Sequence, residues 1–160
     1  MYFRTKQLLM TKEEALNKCA ALCSKAEKCT FEILKKLARW ELTEQESAWV
    51  ILQLTSQKFI DDERYAHYFV RDKFRFNKWG KTKIAFQLRQ KQISQEVISA
   101  ALEEINEEEY IDLAKELISA KIPKTKGKNQ WDINSKIIRF MQGRGFDYSL
   151  TMSLLNMPDE

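Results

Sequence analysis

Glycine and proline are scarce in this chain, which has four glycines and two prolines among 160 residues. Tight hairpin turns depend on glycine at positive backbone angles, so this scarcity argues against a fold of antiparallel strands. Alanine, leucine, glutamate, lysine and glutamine are abundant instead, and these side chains lose little rotamer freedom in a helix. The composition therefore predicts an all-α fold.

Long apolar runs are also missing, because no stretch of eighteen apolar residues exists to cross a membrane. The opening segment from Met1 to Met10 is too short and too interrupted by polar side chains to act as a secretory signal. We therefore expect no membrane association and a cytosolic location. Residues 1–10 show no clear period, and we interpret them as an N-terminal arm.

Histidine occurs once, at His67, and the motifs of common catalytic sites are absent. The chain has no Gly-rich phosphate loop, no G-x-G-x-x-G, no H-E-x-x-H and no G-x-S-x-G. The run Asp61-Asp62-Glu63 could bind a metal ion, but consecutive carboxylates cannot all point to one side, and they suit the start of a helix. We expect a non-enzymatic protein without a cofactor.

The three cysteines, Cys19, Cys23 and Cys29, lie close together and are odd in number, as expected where thiols stay reduced. Cys19 and Cys23 are one helical turn apart and could form half of a zinc site. No second pair completes four ligands, so small buried side chains are the favoured interpretation.

Capping patterns divide the chain into about nine short helices. Thr11 with Glu14 and Thr43 with Glu46 have the spacing of a capping box, in which the hydroxyl and the carboxylate each bind a free backbone N–H. The other predicted N-caps are Thr30, Asp61, Ser94, Asp132 and Asp147.

The helices repeat with a period of about fifty residues, and each copy has a helix, a large apolar residue in a turn and a capping residue. The aligned sets are Ile33, Leu37 and Leu42; Ile84, Leu88 and Ile93; and Ile137, Met141 and Phe146. We predict three-helix repeats at 11–58, 59–106 and 107–160. The third contains a lysine-rich loop near 121–130 with Pro123 and Gly127, which we expect to be exposed and mobile.

Charge is distributed unevenly along the chain. Between Arg71 and Lys91, eight basic residues are opposed by Asp72 alone. An acidic stretch follows at 96–116, and a second basic region runs from Lys121 to Arg144. The repeat could place both basic regions on one face, which a phosphate backbone would favour, although charge runs on helices are also commonly just solvated.

Aromatic residues are interleaved with the first basic region. Phe69 and Val70 lie mid-helix, and their three- and four-residue spacing from Tyr65, Ala66 and Phe74 is typical of core positions. Phe76 and Trp79 lie in a turn between helices, where they could plug the junction or contact a partner. Both interpretations remain open at this point.

The middle of the chain resembles the RecX family. An apolar pair is followed by Asp61-Asp62, then by Arg64-Tyr65-Ala66 and Phe69-Val70-Arg71, and later by Leu88-Arg89-x-Lys91-x-Ile93. The family commonly has Gly-Pro where this chain has Trp79-Gly80-Lys81, and glycine where it has Gln92. Gln92 must therefore accept the backbone conformation that glycine normally takes.

The resemblance implies an elongated, curved tandem repeat that binds the RecA recombinase filament on DNA, lodges in its groove, and inhibits strand exchange, ATP hydrolysis and co-protease activity. It also implies a monomer acting in DNA repair, recombination and the SOS response. Arg64 matches a motif base, but we expect it to pair with Asp61 or another acid as helix scaffolding. The candidate contact residues are Arg71, Lys73, Arg75, Lys78, Trp79, Lys81, Lys83, Arg89, Lys91, Lys124, Lys126, Lys128, Arg139 and Arg144. The alternatives are a helical-repeat protein that binds DNA without a recombinase, and a purely structural interaction module.

Overall fold

A computed structural model describes residues 9–156 and is helical throughout this range, without a strand. The prediction of an all-α fold is confirmed. Residues 1–8 of the predicted arm, and residues 157–160, lie outside the described part. The helices are α1 (Lys12–Lys25), α2 (Thr30–Arg39), α3 (Glu44–Ser56), α4 (Asp62–Arg75), α5 (Lys81–Gln90), α6 (Gln95–Glu103), α7 (Glu107–Lys121), α8 (Gln130–Arg144) and α9 (Tyr148–Leu155), with a 3-10 turn at Ile122–Lys124. In residues 9–156, none of these helices has the length and apolar character needed to cross a membrane.

Both predicted capping boxes are present. The Thr11 hydroxyl accepts from the Glu14 N–H at 3.1 Å, and the Glu14 carboxylate accepts from the Thr11 N–H at 3.1 Å. Thr43 and Glu46 make the same reciprocal pair ahead of α3. These bonds satisfy backbone donors that a helix start leaves without partners, and they hold the pKa of Glu46 below its usual range.

Two predicted caps are wrong. Thr30 is the first residue of α2, whose N-cap is Cys29, and the Thr30 N–H donates to the Asp62 carboxylate at 2.8 Å. Asp132 lies inside the first turn of α8, where its N–H donates to the Asn129 side chain. In both cases an earlier residue takes the extended backbone conformation that ends the preceding segment.

Each three-helix repeat turns between its second and third helices through a left-handed residue. These residues are Glu41, Gln92 and Gly145, with φ angles of 61°, 58° and 96°. Gln92 thus adopts the left-handed conformation expected of it. The apolar residue that follows donates its N–H to a carbonyl five residues earlier, which closes a Schellman turn in all three copies. The pairs are Leu42 to Leu37, Ile93 to Leu88, and Phe146 to Met141.

The chain divides into two compact units, Met1–Tyr65 and Ala66–Glu160, with the boundary inside α4. The described part of the N-terminal unit buries a core contributed by α1, α2, α3 and the start of the next segment. Its members are Ala15, Cys19, Ile33, Leu37, Val50, Leu54 and Ile60. The predicted repeat boundaries at 58 and 106 stay a prediction.

The cysteines lie in the N-terminal unit, with Cys19 and Cys29 buried and Cys23 half-buried. Burial raises the pKa of Cys19 to about 11 and also raises the pKa of Cys23. Burial therefore favours the neutral thiol at both positions, in agreement with small buried side chains. Over residues 9–156, no group of three His, Cys, Asp or Glu side chains is arranged to hold a metal ion.

Arg64 acts as scaffolding within the N-terminal unit. Its Nε donates to the Glu27 carboxylate at 2.9 Å, and its Nη2 donates to the Lys58 and Phe59 carbonyls. The expectation that Arg64 pairs with an acid is confirmed, and the acid is Glu27. One guanidinium thus joins the loop before α2, the end of α3 and the start of α4.

Candidate nucleic-acid interface

The candidate interface lies on the C-terminal unit, where two turns distant in sequence meet. The Gly80 N–H donates to the Arg144 carbonyl at 2.8 Å, and the Thr82 N–H donates to the Gly145 carbonyl at 3.0 Å. Carbonyls at the end of α8 therefore satisfy N–H groups at the start of α5, where Gly80 offers no capping side chain. A Cβ atom on Gly80 would lie 2.3 Å from the Gly145 carbonyl carbon, so only glycine permits this approach. We call this contact the glycine clasp.

Trp79 precedes the clasp and carries two ammonium groups on its ring. Lys73 Nζ lies 5.0 Å and Lys83 Nζ lies 4.5 Å from the Trp79 ring centroid. The ring meets Phe69 edge to face, with centroids 6.5 Å apart. Trp79 therefore packs at the helix junction and also orients two bases, because its ring face attracts cations. Phe76, by contrast, is 80% exposed.

The clasp brings these bases next to α8. Lys83 Nζ lies 3.5 Å from the Gly143 carbonyl, and Arg144 Nη1 donates to the Asn77 carbonyl at 3.0 Å. The Arg144 guanidinium also lies over the Phe140 ring, 5.5 Å from its centroid. These cations complement the negative end of the α8 dipole.

A cationic pocket of about 370 Å³ continues from Phe140. Lys121 Nζ lies 4.6 Å from the Phe140 centroid, on the same ring as Arg144. Lys136 Nζ donates to the Lys126 carbonyl at 2.6 Å, which ties the lysine-rich loop to α8. The pocket is lined by Lys121, Lys124, Thr125, Lys126, Lys136, Arg139 and Phe140.

These contacts join the two basic regions of the sequence into one continuous surface, which we call the basic strip. Its members are Lys73, Trp79, Lys83, Arg144, Phe140, Lys121, Lys124, Lys126, Lys136 and Arg139. A chain of phosphates would gain several cationic partners along such a surface.

Two predicted contact residues are engaged by the acidic α7 helix. Lys78 Nζ lies 3.1 Å from the Glu116 carboxylate, and Lys81 Nζ lies 2.8 Å from the Glu107 carboxylate. The Lys81 N–H also donates to the Tyr110 hydroxyl at 3.0 Å. The acidic stretch therefore offsets part of the first basic region and leaves Lys73 and Lys83 on the strip.

The other predicted contact residues lie apart from the strip contacts. Arg71 and Arg75 line a groove of about 460 Å³ with Glu104 and Glu109, so its charge is mixed. Arg89 and Lys128 are exposed, and Lys91 is half-buried. The Lys128 N–H binds Asp132 and is the main reason why the pKa of that carboxyl is lowered.

Three strip residues, and Phe69 beneath Lys73, were not predicted as contact residues. Lys121 and Lys136 belong to the second basic region, so their charge was a usable signal. Phe69 and Phe140 have core-like spacing, and nothing in the sequence indicates that their rings lie beneath Lys73 and Lys121.

The fold and the strip define a class: a helical-repeat protein with a basic, aromatic-lined face. Two family models match the chain, the second three-helix domain of RecX at residues 61–102 and the third three-helix domain of RecX at residues 107–155. This chain belongs to the RecX family, a family of regulatory proteins.

Curated relatives agree with this assignment. The Regulatory protein RecX of Clostridium perfringens is 29% identical over 152 residues, which cover 91% of this chain and 71% of the relative. The protein of the same name from Clostridium acetobutylicum is 31% identical over 84% of this chain and 64% of its own length. The Lactobacillus gasseri relative is 25% identical, and the chain spans 48% of its length.

Solved structures support the fold. A crystal structure of regulatory protein RecX matches with a TM-score of 0.83 at 24% identity, covering 91% of this chain and 73% of the other. The crystal structure of RecX from Lactobacillus salivarius matches with a TM-score of 0.80 at 19% identity, covering 90% and 94%.

Proposed function

We propose that this protein binds the RecA recombinase filament on DNA and inhibits its strand exchange, ATP hydrolysis and co-protease activity, without catalysing a reaction itself. Membership of a regulatory family supports a modulating role. The name of that family points to RecA as the regulated protein. The proposal implies a cytosolic protein that acts as a monomer and needs no metal or cofactor.

The observation that carries the proposal is the continuity of the basic strip. Bases from α4, α5, α7 and α8 contact one another through Trp79 and Phe140, and the glycine clasp fixes the α5 and α8 ends. A filament on DNA offers phosphates and acidic protein side chains side by side. A long cationic surface suits this target better than an isolated basic patch.

The test follows RecA-driven ATP hydrolysis and strand exchange on single-stranded DNA as the protein is added. We expect inhibition by the native protein and a rise of at least several-fold in the concentration needed by the triple variant Lys73→Ala, Lys83→Ala and Lys121→Ala. The matched control replaces Lys12, Lys18 and Lys35 by alanine. These lysines lie over Trp49, Trp40 and Phe31 in the N-terminal unit. It removes the same charge and the same kind of ring contact.

Native protein that leaves both RecA activities unchanged at several-fold excess over filament sites would contradict the proposal. Equal loss in the strip variant and the control would show that net charge alone decides the effect. Tight binding to naked duplex DNA at near-physiological salt, with no preference for the filament, would favour a DNA-binding protein without a recombinase partner.

A further inference from the structure

The α8 and α9 helices expose two aromatic rings that no core requires. Trp131 is 77% exposed and Tyr148 is 54% exposed. They line a groove of about 370 Å³ together with Ile138, Met152, Asn134 and Arg139. Large apolar side chains exposed side by side mark interaction sites, so the groove is a candidate binding site.

The groove is built from one face of each helix. Trp131 and Ile138 are seven residues apart on α8, which places them on the same side, and Tyr148 and Met152 are one turn apart on α9. The Asn129 side chain accepts from the Asp132 N–H and fixes the start of α8 directly beside Trp131. The rings are therefore presented by a defined helix start and not by a loop.

Arg139 connects this groove to the basic strip, because it lines both the groove and the cationic pocket. Lys121, Lys124, Lys126 and Lys136 line the pocket with Arg139, and Trp131 and Tyr148 line the groove with Arg139. Among the described residues, neither lining includes a carboxylate. The cationic pocket and the aromatic groove would together recognise a ligand that has phosphates next to a planar aromatic group.

We propose that the groove holds an unstacked base of a single-stranded nucleic acid whose phosphates lie in the cationic pocket. The Trp131 and Tyr148 rings supply stacking faces, and the Asn134 and Gln142 amides at the groove edge can bond a base. This inference deepens the proposed function by naming the strand form that the third repeat contacts. A duplex keeps its bases stacked, so it would use the pocket but not the groove.

A protein segment is the competing occupant, since tryptophan and tyrosine are also common anchors in protein interfaces. The charges favour the nucleic acid. The groove lined by Arg71 and Arg75 also contains Glu104 and Glu109, whereas the lining of the α8–α9 groove contains Arg139 and, among the described residues, no carboxylate. The groove adjoins the five basic side chains of the cationic pocket, an arrangement that suits the phosphates of a nucleic-acid strand.

The experiment measures binding of a fluorescent oligothymidylate and of a duplex of equal length, in low salt and without RecA. We expect Trp131→Ala to weaken oligothymidylate binding by about 5- to 150-fold, the range for one stacked base, and to leave duplex binding unchanged. The matched control is Phe86→Ala, which removes a ring that is 51% exposed on α5. We expect no change from this control.

A second variant tests the phosphate half of the site. We expect Lys124→Ala with Lys126→Ala to weaken binding to both strand forms and to reduce the single-strand salt slope by roughly 0.7 for each lost phosphate contact. Trp131→Ala should leave that slope unchanged.

Thymidine triphosphate serves as the free-nucleotide probe, and displacement of the oligonucleotide at micromolar nucleotide would identify a mononucleotide site instead of a strand site.

Three results would overturn the inference. The first is native protein that does not bind oligothymidylate in low salt, and the second is equal loss on single strand and duplex in Trp131→Ala. The third is a Trp131→Ala variant that binds oligothymidylate normally but inhibits RecA poorly, which would assign the groove to a protein partner. Because RecA is absent from the binding assay, failure here leaves the filament proposal to its own test.

Discussion

The two compact units contain the same kind of helices and turns but use their basic residues differently. Residues 9–65 carry nine basic and ten acidic side chains, whereas residues 66–156 carry sixteen basic and eleven acidic ones. Lysines lie over aromatic rings in both units, as Lys12 does over Trp49 and Lys83 does over Trp79. The cation–ring contact alone therefore does not mark a binding surface.

What differs is how far the contacts extend. Arg64 is used internally in the N-terminal unit, where Glu27 and two carbonyls take up its donors. In the C-terminal unit, Arg144 and Lys83 reach across the glycine clasp and connect two basic regions. A continuous basic surface arises where packing joins basic residues from distant parts of the sequence, so damage to that packing should affect the units unequally.

The largest expected effect is that of Gly80→Ala. The added methyl group would overlap the Gly145 backbone, and such overpacking costs about 1–3 kcal/mol or more. We expect a lower unfolding temperature and faster amide exchange in α5 and α8, with exchange in residues 9–65 unchanged. The control is Gly143→Ala, since nothing lies within 4 Å of the new Cβ and helical alanine is favoured over glycine by roughly 1 kcal/mol. Native-like exchange in Gly80→Ala would contradict the clasp.

High pH should weaken the C-terminal unit through Tyr110. Burial raises the pKa of Tyr110 to about 12, above the value of about 10 for an unfolded tyrosine. The contribution of the neutral phenol is thus fully present below pH 10 and is lost as the pH rises towards 12, by roughly 2 kcal/mol. Between pH 10 and about pH 12, the free energy of unfolding measured with urea should fall less steeply in Tyr110→Phe than in the native protein. Tyr68→Phe, which alters an exposed ring, should follow the native curve.

Arg64→Ala tests the internal use of a base in the N-terminal unit. Glu27 would lose its guanidinium partner, and we expect a loss of about 1–2 kcal/mol in the free energy of unfolding. RecA inhibition by the folded variant should stay native. Lys83→Ala should give the reverse pattern, weaker inhibition with little change in stability. If Arg64→Ala impairs inhibition while its unfolding curve is native, Arg64 belongs to the contact surface.

The smallest expected effect concerns the left-handed turns. A side chain at positive φ costs about 1–2 kcal/mol, and substitution by glycine removes this cost. Part of the gain is lost again because glycine loses more conformational entropy on folding. We therefore expect Gln92→Gly in one unit and Glu41→Gly in the other to raise stability by similar amounts, below about 1 kcal/mol. Thermal unfolding of both variants measures this. Opposite signs would mean that the two turns are not equivalent.

Local patterns in the sequence predict much of this fold. The capping boxes at Thr11 and Thr43 are confirmed because both partners lie within four residues. The caps at Thr30 and Asp132 are wrong because each has a competing cap shortly before it, and a long-range bond from Asp62 fixes the Thr30 backbone. Short-range chemistry identifies a helix start, but a competing cap nearby, or a tertiary contact such as that of Thr30 with Asp62, selects its first residue.

The candidate site is less accessible to sequence reasoning. Charge density identified both basic regions, but only the structure shows that Glu116 and Glu107 engage Lys78 and Lys81. The same holds for the aromatics near the turn, since Trp79 packs on Phe69 while Phe76 stays exposed. Ion pairs between residues 38 and 26 positions apart leave no local periodic signal.

The glycine clasp and the proposed contact surface use different groups of the protein. Its bonds use main-chain N–H and C=O groups, and its only demand on side chains is their absence at Gly80 and Gly145. The clasp bonds between the second and third repeats therefore depend on main-chain groups and on these two glycines, and not on the charge of the basic side chains nearby. We therefore expect exchange of Lys73, Lys121 or Trp131 to change the proposed affinity for nucleic acid while the clasp bonds persist, which suits this surface to the engineering of a new specificity.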